Sequence, residues 1–169
     1  MTIAFLLIAF PLLVIFAAVN DIMTMTIPNR IPMALVISFA LFAPTVGLPA
    51  MTIGLHATTA MLVLAVTFGF FACGWIGGGD AKLAAAAALW FGPTLPLLDF
   101  ALLTSLIGAA LTLTLLAARR LPLPVFAETW TWARRLHAIS AGVPYGVALA
   151  AAALIVYPDS ALWKATMGL

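Results

Sequence analysis

The sequence predicts an all-α, polytopic membrane protein with six transmembrane helices. The first observation is composition: 66% of the 169 residues are hydrophobic and only 7% are charged, whereas a soluble domain carries about 25% charged residues. The second is the spacing of the charges, since the stretch from Ile31 to Gly79 contains no Lys, Arg, Asp or Glu. A helix needs about 20 mostly apolar residues to cross the hydrocarbon core of a bilayer, so this stretch alone is long enough for two spans.

Breaks rich in proline and glycine divide the chain into these spans. Both residue types are tolerated near span ends, where backbone groups reach water or neighbouring helices. The breaks fall at Ile27–Pro32, Pro44–Pro49, Gly77–Gly79, Gly92–Asp99 and Arg119–Pro124. The predicted spans are therefore 2–20, 31–48, 52–75, 81–98, 100–118 and 141–157.

The whole chain, 1–169, is predicted to be a single membrane domain. Its first apolar run is expected to remain as a span, because a signal peptide begins with basic residues and no Lys or Arg precedes Arg30. The longest connection, 119–140, combines aromatic residues with arginines. This combination is typical of a segment at the headgroup level. It predicts an interfacial tether, with a surface that helps to admit a substrate as the alternative.

The cations predict the orientation of the bundle. All except Lys164 lie in connections on one face, at Arg30, at Lys82 and in the long connection. The positive-inside rule makes that face cytoplasmic and places both termini outside. Because the basic residues report topology, the net charge of +2 does not indicate a nucleic-acid partner, and we expect the lipid bilayer to be the main environment.

Histidine and cysteine usage argues against a metal or redox centre. A single cysteine, Cys73, cannot form an internal disulfide or a CxxC site, and it is interpreted as a small apolar residue of a span. His56 and His137 are not spaced as metal ligands. We therefore expect no metal and no other cofactor.

The chain has only five acidic residues, and two of them have an unusual location. Asp99 and Asp159 lie in or beside short predicted connections, where water solvates them, and Glu128 lies in the long connection, where it is either solvated or paired with an arginine. Asp21 ends the first span and Asp80 begins the fourth, each where an uncharged span meets the cytoplasmic interface. An aspartate at the centre of a membrane helix costs about 2.5–3.5 kcal/mol, and less near the ends, so these two positions are candidates for function.

Two carboxyl groups on one face of a bundle can converge on one aqueous cavity. Like-charge repulsion and partial desolvation would then leave one ionised and the other protonated near neutral pH. The ionised member draws a proton from water while the protonated member polarises a carbonyl group. The residues alone leave a simpler alternative open, in which Asp80 caps its helix and Lys82 neutralises either acid.

Three glycines precede Asp80, at Gly77–Gly79. Glycine permits positive φ and close backbone approach. The triplet is therefore expected to break the helix register after the third span and to let an extended peptide lie beside Asp80.

Three short motifs stand out along the chain. Gly77–Leu83 reads GGGDAKL, Asp21 is followed after five residues by Ile27-Pro28-Asn29, and Val143–Ala148 reads VPYGVA. Together they resemble the type IV prepilin peptidase family: the first matches its GxGD signature followed by x-K-L, which presenilin-type intramembrane proteases share more distantly, and the second matches its pattern of an aspartate, five residues and I-P-N. The third resembles the segment that opens the last span in the short peptidases of Tad/Flp pilus systems (the CpaA/TadV type).

The resemblance implies an aspartic endopeptidase of the inner membrane that removes prepilin and pseudopilin leaders at the cytoplasmic face. It maps the catalytic aspartates onto Asp21 and Asp80. Association with pilus assembly proteins is a further expectation. The residues expected to support the motifs are Gly77, Gly79, Lys82, Pro28, Asn29, Pro144, Tyr145 and Gly146.

The supporting residues each have more than one interpretation. Lys82 either stabilises an ionised Asp80, contacts substrate, or extends to the headgroups. Pro28 and Asn29 are interpreted as a helix stop and turn rather than as substrate ligands. The segment Pro144–Gly146 either lines the cavity, with the Tyr145 hydroxyl near an aspartate, or forms a kinked helix start.

The chain also departs from the family pattern. Between Asp21 and Ile27 it reads Ile-Met-Thr-Met-Thr, where many relatives have arginines. It lacks the cysteine tetrad and methylating segment of the larger bifunctional relatives, so the resemblance gives no ground for N-methylation. Two other classes of function stay open: a proton-coupled membrane transporter and a non-catalytic subunit of a pilus or secretion assembly.

Overall fold

The computed structural model describes the backbone of residues 2–168 and the side chains of residues 7–168. Within that range the chain is helical, with no β-strand. Two 3₁₀ turns, Val125–Ala127 and Tyr157–Asp159, interrupt the α-helices. The helices are α1 (Thr2–Thr24), α2 (Arg30–Thr45), α3 (Ala50–Ala72), α4 (Gly78–Phe91), α5 (Leu95–Ala118), α6 (Thr131–His137), α7 (Tyr145–Val156) and α8 (Ala161–Met167).

The all-α class is confirmed for the described residues, and the number of spans stays a prediction. Three helices, α1, α3 and α5, are long and apolar enough to cross a membrane. A fourth candidate is the pair of α7, with the 3₁₀ turn after it, and α8, which meet at a bend of 44°. Six spans and outward-facing termini remain expectations.

Two predicted boundaries were wrong by several residues. The fourth predicted span runs to Leu98, but α4 ends at Phe91 because Gly92 has φ +63° and breaks the helix. Helix α5 then begins at Leu95 with proline in its first turn, where the missing N–H costs nothing. Asp99 is consequently an exposed residue of α5 rather than part of a connection.

Helix α4 is the centre of the bundle. Its side chains from Leu83 to Phe91 are all buried, and it packs against α2, α3 and α7. Five consecutive alanines, Ala84–Ala88, make up much of this segment. Small side chains allow helix backbones to approach closely, which is how helices associate in the absence of a strong hydrophobic driving force.

An aromatic cluster around Trp90 fixes the end of α4 remote from Asp80. The ring centroids of Phe10 and Trp90 are 5.0 Å apart, and those of Phe10 and Tyr157 are 4.5 Å apart. The indole Nε1 of Trp90 donates a hydrogen bond of 3.1 Å to the carbonyl oxygen of Leu35. Rings from α1 and from the turn after α7 therefore pack together against α4 in one cluster.

The buried stripe of α1 carries Asp21. Leu7, Phe10, Val14, Ala17 and Asp21 are all buried, and their spacing of three and four residues places them on one helix face. That face packs against α7 and α2. The period of α1 therefore turns the Asp21 carboxyl group into the bundle rather than toward lipid.

Helices α4 and α7 both begin beside longer helices, α3 and α5. The Thr67 hydroxyl of α3 reaches the carbonyl oxygen of Ala81 at 3.3 Å, so α3 continues past the start of α4 to Ala72. The Tyr145 ring packs on Gly108, and α5 continues from there to Ala118, roughly 15 Å at 1.5 Å per residue. The starts of α4 and α7 therefore lie in a recess walled by α3 and α5.

Candidate active site

Asp21 is held at the start of α7. Its side chain is only 5% exposed, and Oδ2 accepts a hydrogen bond of 2.7 Å from the backbone N–H of Gly146. The first N–H groups of a helix have no partner within the helix and carry its positive dipole end. The start of α7 therefore provides a donor and a favourable field for a negative charge on Asp21.

Asp80 occupies the first turn of α4, where the positive end of that helix also favours negative charge. Its carboxyl group turns back toward the backbone of Gly77. The other oxygen, Oδ1, is buried and has no hydrogen-bond partner among the described residues. Asp21 and Asp80 therefore lie at the starts of two helices, α7 and α4, that pack against each other.

Glycines let the three motifs approach one another at this point. A Cβ atom on Gly146 would lie 2.8 Å from Asp21 Oδ2 and 2.8 Å from Ile27 Cδ1. A Cβ atom on Gly79 would lie 3.0 Å from Ile27 Cβ and 3.3 Å from its backbone nitrogen. Ile27 therefore packs between the start of α7 and the start of α4, in spaces that a larger residue than glycine would close.

Lys82 bonds to the segment that precedes α2. Its Nζ donates a hydrogen bond of 2.9 Å to Asn29 Oδ1, which links the last residue of the Ile27-Pro28-Asn29 motif to the lysine of the GGGDAKL motif. Pro28 accepts a hydrogen bond of 3.0 Å from the N–H of Ile31, as expected for a residue at a helix start. Lys82 makes no ion pair with Asp80 in the described part of the chain.

The VPYG segment contributes to the site in two ways. Pro144 immediately precedes α7, and Gly146 binds Asp21 as described above. The Tyr145 ring lies over Gly108 of α5 and lines the same cavity as Asp80. Its hydroxyl makes no hydrogen bond to either aspartate within residues 7–168, and a role for Tyr145 in the site stays a prediction.

A cavity of about 480 Å³ opens beside Asp80, between α3, α4, α5 and α7. We call it the Asp80 cavity. Its lining is mostly apolar, and its polar side chains are Thr67, Asp80, Thr104, Ser105 and Tyr145. A concave apolar surface with a few convergent polar groups is the usual form of a ligand site.

Three residues of this region were not predicted from the sequence. In the sequence Ile27 is only one residue of the Ile27-Pro28-Asn29 motif, and no pattern indicates that it packs between Gly79 and Gly146. Thr67 and Thr104 lie in uncharged apolar helices, where a single hydroxyl gives no signal in the hydrophobic pattern. Only the packing of α3 and α5 around α4 shows that both reach the cavity.

A second cavity, of about 590 Å³, lies on the other side of α4 between α2 and α3, with Asn29 and Lys82 in its lining. Neither aspartate lines it. In the part of the chain that the structure describes, no three His, Cys, Asp or Glu side chains cluster as metal ligands. The carboxyl pair and the Asp80 cavity are therefore the candidate site.

Helices of membrane-spanning length, with two neighbouring carboxyl groups beside a cavity, are the elements of a membrane-embedded aspartic peptidase. Residues 8–113 match the model of the type IV leader peptidase family, and the chain belongs to this family. A search of curated proteins and a search of solved structures each gave no match. Family membership identifies the chain as a prepilin leader peptidase-like protease of aspartic type, with prepilins as its class of substrate.

The matched range includes two of the three motifs, with Asp21 and Asp80. The VPYG segment at Val143–Ala148 lies beyond it. The contact between Gly146 and Asp21 is therefore an observation independent of the family match, and it ties this last segment to the first motif.

Proposed function

We propose that the chain is an inner-membrane aspartic endopeptidase that removes the leaders of Tad/Flp-type prepilins and pseudopilins, with Asp21 and Asp80 as its catalytic residues. One observation carries the proposal: Asp21 and Asp80 come from separate helices and lie at the starts of the packed helices α7 and α4, beside the cavity that Asp80 lines, although the chain has only five acidic residues. Burying two carboxyl groups in an apolar bundle is costly. A catalytic pair accounts for both positions at once.

The proposed chemistry is hydrolysis by water without a covalent intermediate. The ionised aspartate takes a proton from a water molecule, whose oxygen attacks the scissile carbonyl carbon. The protonated aspartate donates its proton to the carbonyl oxygen. The tetrahedral intermediate then collapses: the aspartate that took the proton from water gives it to the leaving nitrogen, the C–N bond breaks, and a hydroxyl of the intermediate returns its proton to the other aspartate, which restores the starting state of the pair.

The two helix starts support this sharing of one proton. The start of α7 donates its Gly146 N–H to Asp21, and Asp80 lies in the first turn of α4. Both helix dipoles favour a negative charge at the pair. Mutual repulsion opposes a second charge. One negative charge shared by two carboxyl groups is the form that acid–base hydrolysis requires.

The location of the cations supports cleavage at the cytoplasmic face. Arg30, Lys82 and Arg119 lie at the end of the bundle where the carboxyl pair lies, and Lys164 lies at the other end, in α8. Under the positive-inside rule the basic end faces the cytoplasm. A precursor that enters sideways from the bilayer would then leave its leader in the cytoplasm.

A proton-coupled transporter is the rival from another class of protein. Transport would require acids spread through the bilayer as a relay. Among the described residues, the remaining acid within a long helix is Asp99, which is exposed near the start of α5, far from the pair. The positions of the acidic residues therefore favour a reaction at one site over a proton path across the membrane.

Substitution of each aspartate by asparagine tests the proposal. The full chain is co-expressed with a pilin precursor in cells that lack other prepilin peptidases, and leader removal is followed as a gel shift. We expect D21N and D80N each to lower the processing rate by about 10²–10⁴-fold, the usual contribution of a general acid or base. D99N is the matched control, because it removes an exposed carboxylate from the same bundle.

Processing at the wild-type rate by D21N or D80N would exclude that residue from catalysis. If all three variants and the wild type leave every precursor uncut, the assembly-subunit alternative replaces the peptidase. Membrane insertion is checked by the amount of each variant in the washed membrane fraction, so that loss of protein is not mistaken for loss of catalysis.

A further inference from the structure

Thr104 is an exception among the hydroxyl residues of α5. The hydroxyls of Ser105, Thr112 and Thr114 each donate to the carbonyl oxygen four residues earlier, at 2.7–2.8 Å. This local bond is the usual way for a helical serine or threonine to satisfy its hydroxyl. Thr104 Oγ1 makes no such bond and has no other partner among the described residues, although the residue is only 9% exposed.

The Thr104 side chain, whose hydroxyl oxygen is buried, borders a cavity. Thr104 lines the Asp80 cavity, on the buried stripe of α5 between Phe100 and Gly108. Asp80, which carries the other unpartnered buried oxygen, Oδ1, lines the same cavity. A buried polar group without a partner costs about 1–3 kcal/mol, so two of them in one cavity indicate that a bound molecule supplies the missing partners.

The rest of the lining limits what that molecule can be. It is formed by apolar side chains such as Val63, Phe70 and Leu149. No Lys, Arg or His lines this cavity, and Lys82 faces the cavity on the other side of α4. A fitting ligand therefore has uncharged, apolar bulk and a hydrogen-bonding group within reach of Asp80 and Thr104. A peptide with apolar side chains next to its scissile bond has both.

We propose that the Asp80 cavity binds the apolar side chains that flank the scissile bond, and that the Thr104 hydroxyl hydrogen-bonds to the main chain of the substrate there. This inference rests on the peptidase function proposed above. It makes Thr104 a substrate-binding residue. It also makes the size of the flanking side chains a determinant of cleavage, since the cavity has a limited volume of about 480 Å³.

The first experiment tests whether the Thr104 hydroxyl contacts the substrate or only contributes to folding. Purified wild-type protein, T104V and T104S are compared on one precursor for KM and kcat. We expect T104V to lower kcat/KM by about 3- to 10-fold, the value of one neutral hydrogen bond, mainly through KM, because the bond is present in both the bound substrate and the transition state. T104S keeps the hydroxyl and should restore the wild-type KM.

Thermal unfolding provides the readout that a structural role would change. Replacing an unpartnered buried hydroxyl by a methyl group is close to neutral for folding. We therefore expect T104V to unfold at the wild-type temperature or slightly above it. A T104V protein with lowered stability and an unchanged KM would overturn the proposed contact with substrate.

The second experiment changes the volume of the cavity. A101L adds bulk to the lining, whereas A109L adds the same bulk to an exposed position of α5 outside the cavity. Both are tested on precursors in which the residues flanking the scissile bond are replaced, one at a time, by Ala or Phe. For A101L we expect the Phe/Ala ratio of kcat/KM to fall at least about tenfold at one position, with no change for A109L.

The outcomes distinguish this inference from the function on which it rests. If the wild type cleaves and D80N does not, but A101L keeps the wild-type Phe/Ala ratio at every position, the cavity does not bind these side chains. It would then be a space filled by lipid acyl chains. If the wild type cleaves no precursor, the proposed function fails before the cavity is tested.

Discussion

Gly146 positions Asp21 through its backbone N–H and through the space left by its missing side chain. The N–H donates to Asp21 Oδ2 at 2.7 Å. The position that a Cβ atom would take lies 2.8 Å from that same oxygen and 2.8 Å from Ile27 Cδ1. Real Cβ atoms do not approach other atoms so closely, so any larger residue must displace the Asp21 carboxyl group and the end of the Ile27 side chain. The hydrogen bond and the close packing therefore depend on one residue.

We predict that G146A lowers both stability and processing. Overpacking of a dense interface costs about 1–3 kcal/mol, and displacement of the Asp21 carboxyl group lengthens its bond to the Gly146 N–H. The measurement is thermal unfolding in detergent together with the precursor gel shift. G142A is the matched control, because a Cβ atom at Gly142 meets nothing within 4 Å. Equal melting temperatures and processing rates for G146A and G142A would contradict the assigned packing.

At the scale of elements, Arg119 anchors the connection between α5 and α7. Its Nε donates to the carbonyl oxygen of Leu136 at 2.8 Å, and its Nη2 donates to that of Gly142 at 2.8 Å. These two bonds join the end of α5 to the end of α6 and to the segment before α7. The start of α7, which carries Gly146, is therefore tied to α5 through Arg119 and to α1 through Asp21.

We predict that R119A loosens this connection, whereas R120A does not. Hydrogen bonds from a charged donor contribute about 1.5–3 kcal/mol each when buried and less when half-exposed, as Arg119 is. Local opening should therefore become more frequent, and proteinase K should cut residues 120–144 of R119A at least about fivefold faster. The Arg120 side chain makes no hydrogen bond within the described range and is exposed, so R120A removes the same charge without loosening the segment. Equal digestion rates would refute the anchoring role.

The candidate site could be predicted from the sequence because the residues of each motif lie close together along the chain. Asp21 and Ile27-Pro28-Asn29 span one helix end, and the GGGDAK segment spans one helix start, so the residues of each motif remain neighbours in the fold. The helical class followed from composition for a similar reason, since long apolar runs in a bilayer have few alternatives. These parts could be predicted without tertiary information.

The remaining features depend on contacts between distant helices. Thr104 has the same sequence environment as the other hydroxyls of α5, and its unpartnered state depends on the cavity beside it. The end of α4 was misplaced because the apolar residues at Leu95–Leu98 continue the hydrophobic run beyond Gly92. Helix α6 was not predicted, since seven residues are too few for a periodic signal.

At the scale of the whole molecule, the orientation of the bundle is accessible through the chain's single cysteine. Cys73 immediately follows α3 and is exposed. It lies at the same end of the bundle as Lys82, because the Thr67 hydroxyl of α3 reaches Ala81 at the start of α4. Met51, at the opposite end of α3, is 75% exposed. The two ends of one helix therefore offer a matched pair of positions for a thiol reagent.

We predict that a membrane-impermeant maleimide labels the native Cys73 in inverted membrane vesicles and not in intact spheroplasts, because the positive-inside rule places the basic end in the cytoplasm. The variant that combines C73S with M51C should give the reverse pattern. C73S alone should stay unlabelled, which controls for background. Labelling of Cys73 from outside intact cells would place the carboxyl pair on the outer side of the membrane. A precursor whose leader stays in the cytoplasm could then not be cut there, so this result would contradict cytoplasmic cleavage even if both aspartates proved essential.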